Sequence, residues 1–286
     1  MTAQDEVKLP RPAITSPFRE RYGYYAPFRQ VIPLIQTISL CCFAFLAGFI
    51  DSIVGGGGLI QLPALMIILP NQAVTDLLGT NKMASIMGTS MAAFRYSHKV
   101  PINWRLVLTM AGVAFLFSFL GARVVSIIPS TNLEPVIIVL LIGIAIYIFA
   151  NKDFGALQHP DIPFSRQRWL GLIAGAGLGF YDGFFGPGAG SFLIFVFIMI
   201  FGLNFLQSSA SSKFVNVATN LAALLYFVWS GHILLQYAIP MAACNVLGAI
   251  TGTRLAILKG NRFIRMLFLL VVVGIIVKLS YDTFLI

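Results

Sequence analysis

The chain writes one glycine-broken, acid-bearing hydrophobic motif twice, 131 residues apart. The first copy is Gly48-Phe49-Ile50-Asp51-Ser52-Ile53-Val54-Gly55-Gly56-Gly57-Gly58. The second is Gly179-Phe180-Tyr181-Asp182-Gly183-Phe184-Phe185-Gly186-Pro187-Gly188-Ala189-Gly190. The offset continues past the motif: Lys82 matches Lys213, Gly121 matches Gly252, Arg123 matches Arg254, and Gly143 matches Gly274. Such a duplication limits the fold to two related halves. Helix breakers beside charges at matching depths in apolar surroundings are the pattern of a membrane transport repeat.

The surroundings are apolar enough to require a bilayer. Charged residues make up 10% of the 286 positions and hydrophobic ones 58%, where a soluble domain carries about 25% charged residues. The apolar runs have lengths near the bilayer thickness, and the roughly ten-residue alternation of barrel strands is missing, so the spans are helices. The net charge of +9 does not form a continuous basic stripe. It lies in short segments between apolar runs and in the tail, which excludes a nucleic-acid partner and fits orientation by the positive-inside rule. Cys41, Cys42 and Cys244 lie in apolar runs without metal-ligand spacing and read as structural thiols.

The division that follows is a polar, interfacial tail at 1–30, a first membrane repeat at 31–150, a linker at 151–167 and a second repeat at 168–286. The tail, with Pro10, Pro12, Pro17, Pro27 and mixed charges, is too polar for a signal peptide. Stretch 31–69 has 39 residues; as one helix it would reach about 58 Å, nearly twice the hydrocarbon core. It must break, and Gly55 to Gly58 is the place, as Gly186-Pro187-Gly188 is in the second copy. Loop charge then relates the halves. Arg95, Lys99 and Arg105 flank the loop between spans two and three of the first half, and the matching loop of the second half, near 230–236, has no Lys or Arg. One loop later the pattern reverses, with none at 128–133 and Lys259, Arg262 and Arg265 in the second half. Equivalent loops therefore face opposite sides, as inverted repeats require. The expected fold is an all-α integral membrane protein of two inverted repeats, each a broken or re-entrant helix pair plus three transmembrane helices, with about eight to ten membrane segments in all.

Ionisable groups inside spans need a reason. Lys82 and Lys213 lie well inside their apolar runs, about 12 Å from the nearest helix end, and read as cations on an anion pathway; snorkelling toward the interface or pairing with aspartate is the plainer alternative. Asn81, Ser212 and Asn216 would donate hydrogen bonds beside them, with Thr80, Ser85, Ser211, Thr219 and Asn220 close in sequence. Where helices restart after Gly57 or Gly188, free N–H groups and the helix dipole favour an anion, so backbone at Gly56, Gly57 and Gly188 joins the expected binding set. Asp51 and Asp182 read either as carriers of a coupled proton or cation or as caps of the following half-helix. Arg123 and Arg254 end the third spans and read as interfacial, with gating as the minority role. No His-x-x-x-His, Cys-x-x-Cys or Walker pattern occurs, so no metal, cofactor or enzymatic activity is expected.

Residues Gly48 to Gly58 with Asn81-Lys82, and Gly179 to Gly190 with Ser212-Lys213, resemble the TauE/SafE sulfite-exporter family, also called the 4-toluene sulfonate uptake permease family, over roughly residues 35–285. The resemblance implies a multi-pass carrier of the inner (plasma) membrane for sulfur-containing anions such as sulfite, sulfonates, sulfoacetate or thiosulfate. The expected function is thus a secondary transporter working by alternating access, with proton coupling and a homo-oligomeric state both compatible. Its partners would be a small anion and the lipid bilayer. The alternatives are an anion channel and a membrane assembly factor without transport.

Overall fold

The computed structural model describes residues 34–129 and 164–284. The described elements are helices: α1 Leu34–Val54, α2 Gly58–Ile68, α3 Val74–Ser97, α4 Trp104–Ile127, α5 Phe164–Phe184, α6 Ala189–Phe201, α7 Phe205–Ser230 and α8 Leu235–Phe284. The tail 1–30, the end of the first repeat from 130 to 150 and linker residues 151–163 lie outside the described residues. α5 begins at Phe164, ahead of the expected boundary at 168.

The chain breaks at the two glycine motifs. Gly55 adopts φ +81°, and its repeat-related partner Gly186 adopts φ +97°, a left-handed region that only glycine enters at low cost. Gly58, expected within the break, is already the first residue of α2. In the second copy Gly188 is also left-handed, at φ +81°, and α6 starts directly after it. Each broken pair joins unequal pieces. α1 has 21 residues and reaches about 31 Å, whereas α2 with 11 and α6 with 13 reach about 16–20 Å, little more than half of the hydrocarbon core.

Other boundaries follow from local chemistry. Asn103 caps α4 by accepting from the Leu106 N–H at 3.3 Å, and Asn204 caps α7 by accepting from the Gln207 N–H at 2.9 Å. α6 and α7 end at left-handed Gly202 and Gly231, where the Leu203 and His232 amides reach back to Phe197 and Phe227. Gly260, at φ +65°, interrupts α8.

The halves pack crosswise. On α5, Gly175, Gly179 and Gly183 ride over the backbone of Met110, Ala114 and Ser118 of α4. The rising numbers on both sides make the pair parallel. The same contact recurs one repeat on: Gly48 meets Asn245, and Gly248 and Gly252 meet Phe45 and Phe49, so α1 and α8 are parallel too. Gly88 against Asn245, with Arg95 and Arg254 in one cavity further along, makes α3 parallel to α8. Since α3 turns back into α4 at 98–103 and α7 into α8 at 231–234, α1 and α5, α3 and α7, and α4 and α8 each run antiparallel to one another as repeat equivalents. The duplication is therefore inverted, as the loop charges predict.

Polarity is turned outside in. Ile35, Ile67, Leu108, Leu116, Ile239 and Leu247 are large, apolar and exposed, while Lys82, Lys213, Asn81, Asn216, Thr219 and Ser212 are buried. A chain that hides its polar groups and shows its apolar ones is built for lipid. α1, α4 and the Leu235–Ile264 part of α8 are long and apolar enough to cross a membrane. α3 and α7 carry the polar residues and pack against each other and against α4 and α8, which shields them from hydrocarbon.

Candidate functional site

α3 and α7 bring one lysine each to the level of the glycine breaks. Lys82 Nζ donates to Asp182 Oδ1 at 2.7 Å and to Asn220 Oδ1 at 3.1 Å. Lys213 Nζ donates to Asp51 Oδ2 at 3.1 Å and also to the Asp51 carbonyl oxygen. Each lysine thus takes the aspartate of the other half, and the two pairs are repeat equivalents. A further polar group occupies an equivalent place in each: Asn220 beside Lys82, and Thr89 Oγ1 donating to Asp51 Oδ2 at 3.3 Å. The lysine side chains are 3% and 0% exposed, Asp182 6% and Asp51 20%. Burial this deep in a membrane requires partners, because an unpaired charge in hydrocarbon costs several kcal/mol.

The two breaks lie against each other. Gly55 faces the backbone of Gly190 and Ser191, and Gly58 faces Pro187. A Cβ at Gly55 or Gly190 would overlap the opposite chain, so the close approach itself demands glycine. Ser191 Oγ donates to the Val54 carbonyl at 2.8 Å and Ser209 Oγ to the Ile53 carbonyl at 2.7 Å. Carbonyls freed by the end of α1 are therefore satisfied from the other half.

Between the breaks lies a cavity of about 30 Å³. Asp51, Asp182, Asn81, Asn216 and Asn220 line it, with Ser85 and Thr89, and the backbone of Gly55, Gly58, Gly186 and Gly190 closes it. Three of its acceptor oxygens, Asp182 Oδ2, Asn81 Oδ1 and Asn216 Oδ1, are buried without a hydrogen-bond partner. Each such group carries a desolvation cost of about 1–3 kcal/mol. The two lysines stand behind the aspartates, and with two of each sign the site has no net charge.

The predicted residues thus fall into four groups. Asp51, Asp182, Asn81 and Asn216 meet at the cavity, with Lys82 and Lys213 in direct contact with its carboxylates. Ser212 is buried, but its hydroxyl donates to the Ser209 carbonyl at 2.8 Å. Gly56, Gly57 and Gly188 shape the turns: Gly57 packs on Ala47 and Asp51 Cβ, and Gly188 supplies the left-handed start of α6. Neither aspartate caps the following helix. The N-caps are Gly57 and Gly188, with no side-chain bond, because each carboxylate sits in the last turn of the preceding helix and is held by a lysine. Arg123 and Arg254 are exposed and do not line the cavity. Thr89 is not evident from sequence; its one signal is that it occupies the repeat position of Asn220. Nor does the sequence point to the buried bridge in which Asn245 Nδ2 donates to Gln61 Oε1 at 2.8 Å. Among the described residues no cluster of metal ligands occurs.

Comparison with known proteins points to membrane transporters. The family described as Sulfite exporter TauE/SafE matches residues 40–279. The probable membrane transporter protein ORF9 of Sinorhizobium sp is 36% identical over 243 residues, covering 84% of this chain and 90% of that protein. The probable membrane transporter protein YfcA of Escherichia coli K12 is 33% identical over 258 residues, covering 89% and 93%. A probable membrane transporter protein of Haemophilus influenzae is 33% identical over 245 residues, covering 85% and 94%. No solved structure matches.

Proposed function

The chain belongs to the Sulfite exporter TauE/SafE family of membrane transporters, and from that premise we propose that it is a secondary carrier of a small sulfur-containing anion in the cell's inner membrane. The observation that carries this reading is the crosswise pairing of Lys82 with Asp182 and of Lys213 with Asp51 where the two helix breaks meet.

A neutral tetrad cannot accept a bare anion without leaving an unbalanced buried charge. Protonating one aspartate releases its lysine, so a monovalent anion and a proton enter together at no net charge. The partnerless Asp182 Oδ2 is the natural seat for that proton, because Oδ1 already takes Lys82. Asn81, Asn216 and Ser85 then supply polar contacts, and the first turns of α2 and α6 add the positive ends of two helix dipoles. One half rocking against the other opens the site to each side in turn.

Purified protein in proteoliposomes tests this. Saturable uptake of sulfite or a sulfonate, with counterflow, is expected, and Lys82→Ala should reduce it more than tenfold. Normal uptake by Lys82→Ala would remove that lysine from the mechanism. Failure of sulfite, thiosulfate and sulfonates to enter or to exchange would overturn the substrate class.

A further inference from the structure

A second cavity, of about 380 Å³, opens between α3 and α8. Arg95, Lys99 and Arg254 line it with His98, and Phe94, Ile257 and Leu258 form its apolar wall. No carboxylate lines it, and among the described residues none pairs with these cations. Arg95 Nε is buried without a hydrogen-bond partner. Three cations sharing one recess repel one another, and the arrangement calls for an anion with several acceptor oxygens.

Folding alone does not demand these charges. At the repeat-related corner, Arg95 becomes Tyr226, His98 becomes Trp229 and Lys99 becomes Ser230, and only Arg254 keeps a cation, as Arg123. That corner is closed by aromatic edges, Tyr226 against Phe119 and Trp229. The same packing problem is thus solved once with rings and once with charge.

The apolar wall indicates what the anion is attached to. Phe94 is 62% exposed and Leu258 71%. Met87 and Leu247 lie two turns or more further in on α3 and α8, and both are exposed. A free inorganic anion would gain nothing from this strip, whereas acyl chains would cover it. We propose that this cavity is a binding site for an anionic diacyl phospholipid, with its phosphate held by Arg95, Lys99 and Arg254 and its chains lying along α3 and α8. Basic recesses between membrane helices suit such headgroups. The site is separate from the central cavity and does not depend on what the protein carries.

Native mass spectrometry of protein exchanged into mixed phosphatidylglycerol and phosphatidylcholine would test it. Wild-type protein should retain phosphatidylglycerol preferentially. Arg95→Gln, Lys99→Gln and Arg254→Gln should each weaken retention about fivefold, and the triple variant should lose the preference. Arg123→Gln, at the related corner, should behave as wild type, and Arg254→Lys should retain most of the binding if charge is what matters. Equal retention of both lipids by wild type, or an unchanged preference in a monodisperse triple variant, would overturn the proposal. Displacement of the lipid by inorganic phosphate or sulfate at equal concentration would also overturn it, by making this a soluble-anion site.

Discussion

Lys82 and Asp182 come from opposite halves of the chain and meet at 2.7 Å inside the protein. Lys213 and Asp51 repeat that exchange in the reverse direction, at 3.1 Å. The inverted repeat is thus closed by two reciprocal ion pairs. This explains how the most polar helices, α3 and α7, are tolerated at the centre of the bundle.

Breaking one pair should cost more than removing it. Lys82→Met leaves Asp182 buried against no cation and is expected to destabilise the protein by about 3–5 kcal/mol. Asp182→Asn in the same chain should restore much of that loss without restoring transport. Thermal unfolding of both single variants and the double variant in detergent, read as a double-mutant cycle, checks this. Strictly additive losses would mean that the pair is not a coupled unit.

Asp182→Asn alone separates proton coupling from anion binding. Its amide fixes the position in a neutral state and leaves the Lys82 charge available. Accumulation driven by an imposed pH gradient should be lost, and exchange of anion for anion should survive. Uptake that still follows the pH gradient would move the proton to another group.

Glycine substitutions should sort by what they face. Gly179→Ala places a methyl against the Ala114 backbone, and Gly48→Ala places one against the Asn245 carbonyl. Both should destabilise by about 1–3 kcal/mol through overpacking. At Gly112 and Gly177 an added methyl would meet no other atom within 4 Å, so Gly112→Ala and Gly177→Ala should be neutral or gain about a few tenths of a kcal/mol from better helix propensity. Melting temperatures of the four variants in one detergent decide this.

Much of the architecture is legible in the sequence because the 131-residue offset fixes which positions are equivalent, and loop charge fixes that the copies are inverted. An offset names equivalents, however, and not partners. Nothing in it says that Lys82 turns to Asp182 and away from Asp51. Ser212 shows a second limit. Its register matches Asn81, yet a hydroxyl is short enough to bond its own helix at Ser209, where the longer Asn81 reaches the cavity. Thr89 has no local signature at all, since a lone threonine in a small-residue run is common in packed membrane helices.

The crosswise packing bears on how this protein is made. Asp51 emerges from the ribosome 162 residues before Lys213, an interval of about 8–30 s at ordinary elongation rates. Throughout that time the nascent first half holds a carboxylate whose eventual partner has not been synthesised. It must remain protonated, stay near the aqueous side, or be sheltered by insertion machinery until the second half arrives.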